Sequence, residues 1–211
     1  MKETWIEAYL HDSRNTSTPE TAKRTGIRLK FDPNTDDRIR REIKKFCVWL
    51  RKRYTFPMRV MVYVKNQEQI RAHDGERVYG TFFAPYDHSL EPYVRIAVGD
   101  YISLVEKRGE MNAAYALLEC LAHELTHYYQ WLAEWEMNNV LEEKRARYCA
   151  RQVVRRYWND FSNSQGQFKG EYTHIGYYHE GGGLGGIANE KKLVTFVKKA
   201  WYNKKASSGI G

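Results

Sequence analysis

His123-Glu124-Leu125-Thr126-His127 sits inside a run, residues 113–134, that contains neither glycine nor proline. Leu117, Leu118, Leu121, Leu125, Tyr128 and Leu132 give that run an apolar face, so it reads as a long helix. Positions four apart on a helix lie only about 40° from one another around its axis. His123 and His127 therefore project side by side, and two imidazole nitrogens can grip one ion. Glu124 is turned about 100° from His123, which sets its carboxylate beside such an ion and not on it. Histidines are costly to bury in an apolar segment without a partner. The plainer alternative is an ordinary helix whose two histidines are satisfied by hydrogen bonds.

The residue types suit one chemistry. A zinc ion with three protein ligands keeps a fourth position for water and lowers that water's pKa. Glu124 would take the water's proton as general base and later hand it to a leaving amine. One zinc ion per chain is the implied cofactor.

Outward from the motif, residues 140–158 form a second long helix, with Ala146, Cys149, Ala150, Val153, Val154 and Tyr157 on one side. Glu142 and Glu143 both flank its apolar face, and geometry alone does not separate them. Upstream lie three strand candidates: residues 58–64 (MRVMVYV), 77–83 (RVYGTFF, after an Asp74-Gly75 turn) and 93–98 (YVRIAV, between Pro92 and Gly99). Gly80 inside the second suggests a bulge or the close approach of another backbone. Before them, Ile39, Ile43, Phe46, Cys47 and Leu50 mark an amphipathic helix, capped by Asp36 or Asp37 and ended by Pro57. The expected organisation is an irregular lead-in (1–35), a folded domain (36–160) and a glycine-rich segment (161–211) that ends in a short basic helix, residues 191–202. Helix, strands, then two long helices predict an α+β domain: a small mixed sheet packed on a long active-site helix and on a second, glutamate-bearing helix.

Composition sets the outer limits. With 42% hydrophobic and 28% charged residues in 211, the chain has the make-up of a folded globular protein. Cys47, Cys120 and Cys149 are far apart, odd in number and form no CxxC pair, which argues against a disulfide framework. No apolar run approaches the roughly 18 residues of a membrane span, and residues 1–10 lack the apolar core of a signal peptide, so a cytoplasmic protein with no membrane partner is expected. The formal net charge is +8, with basic clusters at residues 38–53, 144–156 and 191–205. These are either solvated helix faces or grips for nucleic acid.

Strands, a HELTH helix and then an acidic helix resemble the zincin-type metallopeptidases, and within them the small single-domain members of the gluzincin branch. The resemblance covers residues 36–158 or so. It implies a third zinc ligand on the next helix, within an ExxA stretch. Glu143-Lys144-Arg145-Ala146, with Glu143 sixteen residues beyond His127, fits that pattern and favours Glu143 over Glu142. The metzincin pattern would need Gly and His where this chain has Gln130 and Ala133. A HExxH site completed by His174 or His179 is the remaining alternative. By the same resemblance Val78, Tyr79, Gly80, Thr81 and Phe82 lie on an edge strand that pairs with substrate, with residues 93–98 one strand inward. Oxyanion donors would come from Tyr157, His174, Tyr172, Tyr177 or Tyr178. The implied activity is metalloendopeptidase cleavage of a peptide or protein. The competing reading is a basic DNA-associated protein with a structural metal site, or a protease acting on nucleic-acid-bound proteins. The glycine-rich stretch near His174, His179 and Glu180 would, by resemblance, lie in the cleft and keep the enzyme latent.

Overall fold

Alternating side chains build the central sheet. A computed structural model of the chain describes residues 24–87, 89–133 and 139–165. Four strands, β1 (Ile27–Phe31), β2 (Val60–Lys65), β5 (Gly80–Phe83) and β6 (Tyr93–Ala97), form one sheet in the order β1-β2-β6-β5. β1, β2 and β6 run parallel, and β5 pairs antiparallel with β6 at the edge. Val60, Val62 and Val64 share one face with Val94, Ile96 and Phe82, and all six are buried. Residues of the other face are half-buried or exposed, except Thr81 and Ala97, which are buried. β3 (Ile70–Arg71) and β4 (Arg77–Val78) make a separate two-stranded ladder.

The buried face is covered by helices. Helix α1 (Asp37–Arg53) is capped by Asp36, whose carboxylate accepts from Arg38 N at 2.7 Å. Ile39, Ile43, Phe46, Cys47 and Leu50 form its buried stripe. Each such side chain contributes about 1.5–3 kcal/mol by leaving water. Helix α2 (Tyr101–Arg108) leads to α3 (Glu110–Leu132) through Gly109, whose φ of 79° suits glycine. α3 covers β5 and β6 and touches α1, which covers β1. Helix α4 (Asn139–Gln165) packs along α3. Gln130 meets Glu142 and Glu119 meets Arg151, so the two helices run antiparallel.

α3 is fastened by polar tips. Tyr128 Oη donates to Met58 O at 2.7 Å, and Met58 N donates to it at 3.2 Å. Tyr129 Oη donates to Thr55 O at 2.7 Å, and Trp131 Nε1 to Pro85 O at 3.2 Å. The sheet, the loops beside it and the motif-bearing helix thus share one frame.

The structure is mixed α+β, as the element order predicts, and it amends several details: Ile70–Arg71 is a strand that was not expected, and the last helix runs on to Gln165, past the expected end at 158. Residues 27–31 are a strand and not irregular lead-in: Ile-Arg-Leu-Lys-Phe alternates and pairs in register from Ile27↔Val60 to Phe31↔Val64. The single strand expected over 77–83 is two, because the chain changes sheets at Tyr79: Val78 pairs with Ile70, Gly80 with Ile96. Helix α1 stops at Arg53, before Pro57, with Tyr54 N closing on Leu50 O at 2.8 Å. Helix α2 was not expected. All three cysteines are free and buried. Among the described residues no helix is long and apolar enough to cross a membrane.

Candidate metal centre

On α3, twenty consecutive residues from Ala113 to Leu132 are buried, including His123, Glu124, Thr126, His127 and Gln130. A buried polar group needs a partner. Thr126 finds one locally, donating to Ala122 O at 2.9 Å. The two histidines find theirs across the helix interface. His123 Nε2 and His127 Nε2 lie 3.1 Å apart, and both face Glu143 of α4: His127 Nε2 to Oε1 at 3.2 Å, His123 Nε2 to Oε2 at 3.3 Å. Ligand atoms at about 2.0–2.2 Å from a tetrahedral zinc ion stand about 3.3 Å from one another. The two imidazole nitrogens stand at about that spacing, and each faces its own oxygen of the Glu143 carboxylate, so the three side chains converge on one point as a shared ion requires. Oε2 of Glu143 is buried and makes no hydrogen bond, which an ion would remedy. Among the described residues His123, His127 and Glu143 are the group able to hold a metal ion, with ligand atoms all within 4.8 Å.

The supporting shell fixes the chemistry of His127. Gln130 Nε2 donates to the carbonyl of Glu142 at 3.1 Å, so the amide oxygen must point the other way. That oxygen lies 2.7 Å from His127 Nδ1, which must donate to it. In the neutral imidazole Nε2 of His127 then carries the lone pair, aimed at the ligand cluster. One turn before His123, Arg151 Nε donates to the buried Glu119 Oε1 at 3.2 Å, a second tie between α3 and α4. Sequence reading missed Gln130 and Glu119. The available signal was an amide three residues beyond His127 and a carboxylate four before His123, both inside an apolar run.

Electrostatics follow from this geometry. Burial pushes the His127 pKa down, but the Glu143 carboxylate beside it prevails and holds it up at about 9. Burial would raise Glu143, yet His127 and His123 outweigh it and keep its carboxyl well below the usual range. Glu124 is raised, chiefly by burial, although the two imidazoles oppose the shift.

Glu124 points at the edge strand. A Cβ added to Gly80 would stand 2.5 Å from Glu124 Oε1, 2.9 Å from its Cγ and 3.0 Å from Cys120 Sγ. The close approach read from Gly80 is thus real, but the neighbour is this carboxylate and not another backbone. Of the expected substrate-contacting residues, Gly80, Thr81 and Phe82 lie on the sheet edge, Val78 belongs to the small ladder, and Tyr79 links the two, its carbonyl accepting from Ala97 N at 2.7 Å.

The structure brings Glu143, and not Glu142, to the histidines; the Glu142 backbone carbonyl serves Gln130 instead. It does not bring Tyr157 there. Fourteen residues along α4 from Glu143 is about 21 Å of helix. Tyr157 lies edge-on to Phe46 at 5.0 Å and to Trp49 at 5.5 Å, in the aromatic cluster between α1 and α4. His174, His179, Glu180, Tyr172, Tyr177, Tyr178, the glycine run and the basic helix at 191–202 lie outside the described residues.

No protein-family model, curated protein or solved structure matches this chain. What the centre can do follows from its atoms.

Proposed function

We propose that the protein is a zinc-dependent endopeptidase of the zincin-like, gluzincin type, with His123, His127 and Glu143 as ligands. The observation that supports this reading is the convergence of two imidazole nitrogens and one buried carboxylate, with ligand atoms all within 4.8 Å, and Glu124 beside them under a sheet edge. Two imidazoles with one carboxylate suit zinc and leave a position for water. When bound, the ion supplies a water acidic enough to be deprotonated near neutral pH.

The chain's own groups do the rest. Glu124 is buried and its raised pKa suits a group that must both take and return a proton. It accepts the proton of the attacking water and delivers it to the leaving nitrogen. The substrate is held at β5, the last strand of the sheet order. Antiparallel pairing alternates: Tyr79 bonds inward to Ala97, so the backbone groups of Gly80 and Phe82 face the outer edge. An extended peptide adding there runs past Glu124. Glycine at 80 lets strand and carboxylate approach so closely.

The test is zinc content and peptide cleavage by purified wild type and Glu124→Gln. One zinc per chain in both, with cleavage slowed about 10²–10⁴-fold in the variant, is expected. Absence of zinc and of cleavage in the wild type would sink the proposal. Equal cleavage by the variant would sink the role of Glu124.

The competing reading, in which basic helices grip DNA, gains little from the contacts. Arg38 is spent on Asp36, Arg53 on Asp160, Arg151 on Glu119, and Arg40 on the carbonyls of Asp32, Pro33 and Thr35.

A further inference from the structure

The face of the sheet turned away from the helices carries a pattern that the metal centre does not use. Register across the strands places its side chains in rows. Arg28 stands in one row with Tyr93 and Phe83, and Lys30 in the next with Tyr63 and Arg95. Neither row contains an acidic residue. Arg28, Lys30 and Phe83 are exposed, and Tyr63, Tyr93 and Arg95 half-buried.

The aromatic rings form a connected group over three adjacent strands. Phe83 stacks on Tyr93 with centroids 4.6 Å apart and planes 13° apart, and Tyr63 meets Tyr93 edge-on at 5.8 Å. Cations surround them. Lys30 Nζ lies 5.8 Å over the Tyr63 ring. Arg95 is held down by neutral acceptors, Thr81 Oγ1 at 3.3 Å and Arg71 O at 3.0 Å, so its charge is not cancelled by those bonds. The acids at the ends of the sheet are already matched: Asp32 by Lys65, Glu91 by Arg59 and Arg24.

We propose that this open sheet face binds single-stranded nucleic acid, with Tyr63, Tyr93 and Phe83 stacking on bases and Arg28, Lys30 and Arg95 facing the phosphates. An exposed ring and two half-exposed ones on neighbouring strands give unpaired bases a π-surface, and flanking cations track the backbone. A duplex hides its base faces within its own stack, so single strands are preferred. The inference does not rest on the metal centre, which lies on the opposite side of the sheet. Together the two would set a protein bound to the strand beside the β5 edge.

The test uses the full chain and fluorescence anisotropy with short labelled thymidine and uridine homopolymers and a duplex of equal length, at low and rising salt. Single strands should bind more tightly than the duplex. The arms with DNA and RNA show which sugar is preferred, and tight binding of either supports the proposal. Three neutralised phosphates correspond to a slope of about −2 in log affinity against log salt. Tyr63→Ser and Tyr93→Ser should each weaken binding roughly tenfold. Arg28→Ala with Lys30→Ala should flatten the salt slope. Arg41→Ala with Lys52→Ala, on the outer side of α1, should change neither. Thermal melts check that each variant is folded. Failure of single strands to bind at low salt would overturn the proposal. So would tighter duplex binding, indifference to the two tyrosine changes, or loss of binding on the α1 changes alone. Polyglutamate binding as tightly as the single strands, with no loss in the tyrosine variants, would mark an acidic-protein surface and overturn it too.

Discussion

Helices α1 and α3 pack on the same sheet, yet they treat polar residues in opposite ways. α1 buries one stripe, and its arginines and lysines face water or neighbouring acids and carbonyls. α3 is enclosed on all sides from Ala113 onward, and its polar residues are enclosed with it. In α1 a charge costs little and says little. In α3 each polar group must be matched, so each marks an interaction: Thr126 to its own backbone, Glu119 to Arg151, Gln130 to His127 and Glu142, and the two histidines to Glu143. Glu124 is a buried carboxylate close to the cluster without being one of its ligands, the position expected of a proton carrier.

The contrast can be broken most directly at Glu143. Glu143→Ala leaves two imidazoles, and it should lose stoichiometric zinc and all cleavage, whereas Glu142→Ala should keep both. Zinc loss on the Glu142 change alone would reverse the assignment. Next in size is Gly80→Ala. The new methyl group would displace Glu124, and displacements of that order cost about 100-fold in rate. Zinc content should not change, since Glu124 is not a ligand; an unchanged rate would mean that the carboxylate has room to move.

Gln130→Met tests the supporting shell. Loss of such a partner typically weakens metal binding about 10–100-fold, measurable by competition with a chelator. Gln130→Glu, which keeps an acceptor for His127 Nδ1, should recover most of it. A methionine variant with wild-type affinity would reduce Gln130 to packing.

A smaller effect is expected with pH. His127 of the metal-free chain has a folded pKa of about 9 against an ordinary 6.5. The folded state thus holds more protons than the unfolded one in that interval. The stability it contributes is full below 6.5 and should drain away as pH rises through about 9. Glu143 is shifted the other way, so its share is present above the ordinary carboxylate range and lost in strong acid. Thermal melts of the metal-free protein across this range would show the decline, and saturating zinc should abolish it. The smallest change belongs to α1: Asp36→Ala removes a cap worth about 1 kcal/mol and should leave zinc affinity untouched.

Much of this was legible in the sequence because it is local. The i, i+4 spacing of His123 and His127 fixes their direction once the run is a helix, and the stripe from Ile39 to Leu50 fixes the buried side of α1. Resemblance supplied Glu143, because Glu142 and Glu143 differ only by a rotation that depends on how α4 packs on α3. What stayed hidden was non-local. Ile27–Phe31 is too short to stand out from its polar surroundings and becomes a strand by pairing with β2. Gln130 gains meaning only when the Glu142 carbonyl arrives from another helix. Tyr157 carries the right functional group, but four turns of helix take it to an aromatic cluster instead. The rows of the open sheet face exist only in the register of four strands.

The most direct measurement is X-ray absorption at the zinc edge on the purified full chain. One zinc per chain is expected, with a first shell of nitrogen and oxygen at about 2.0–2.2 Å and the multiple-scattering signature of two imidazoles. The imidazole signal should persist in Glu124→Gln. A sulfur shell at about 2.3 Å, or a purified protein that holds no zinc, would contradict the centre described here.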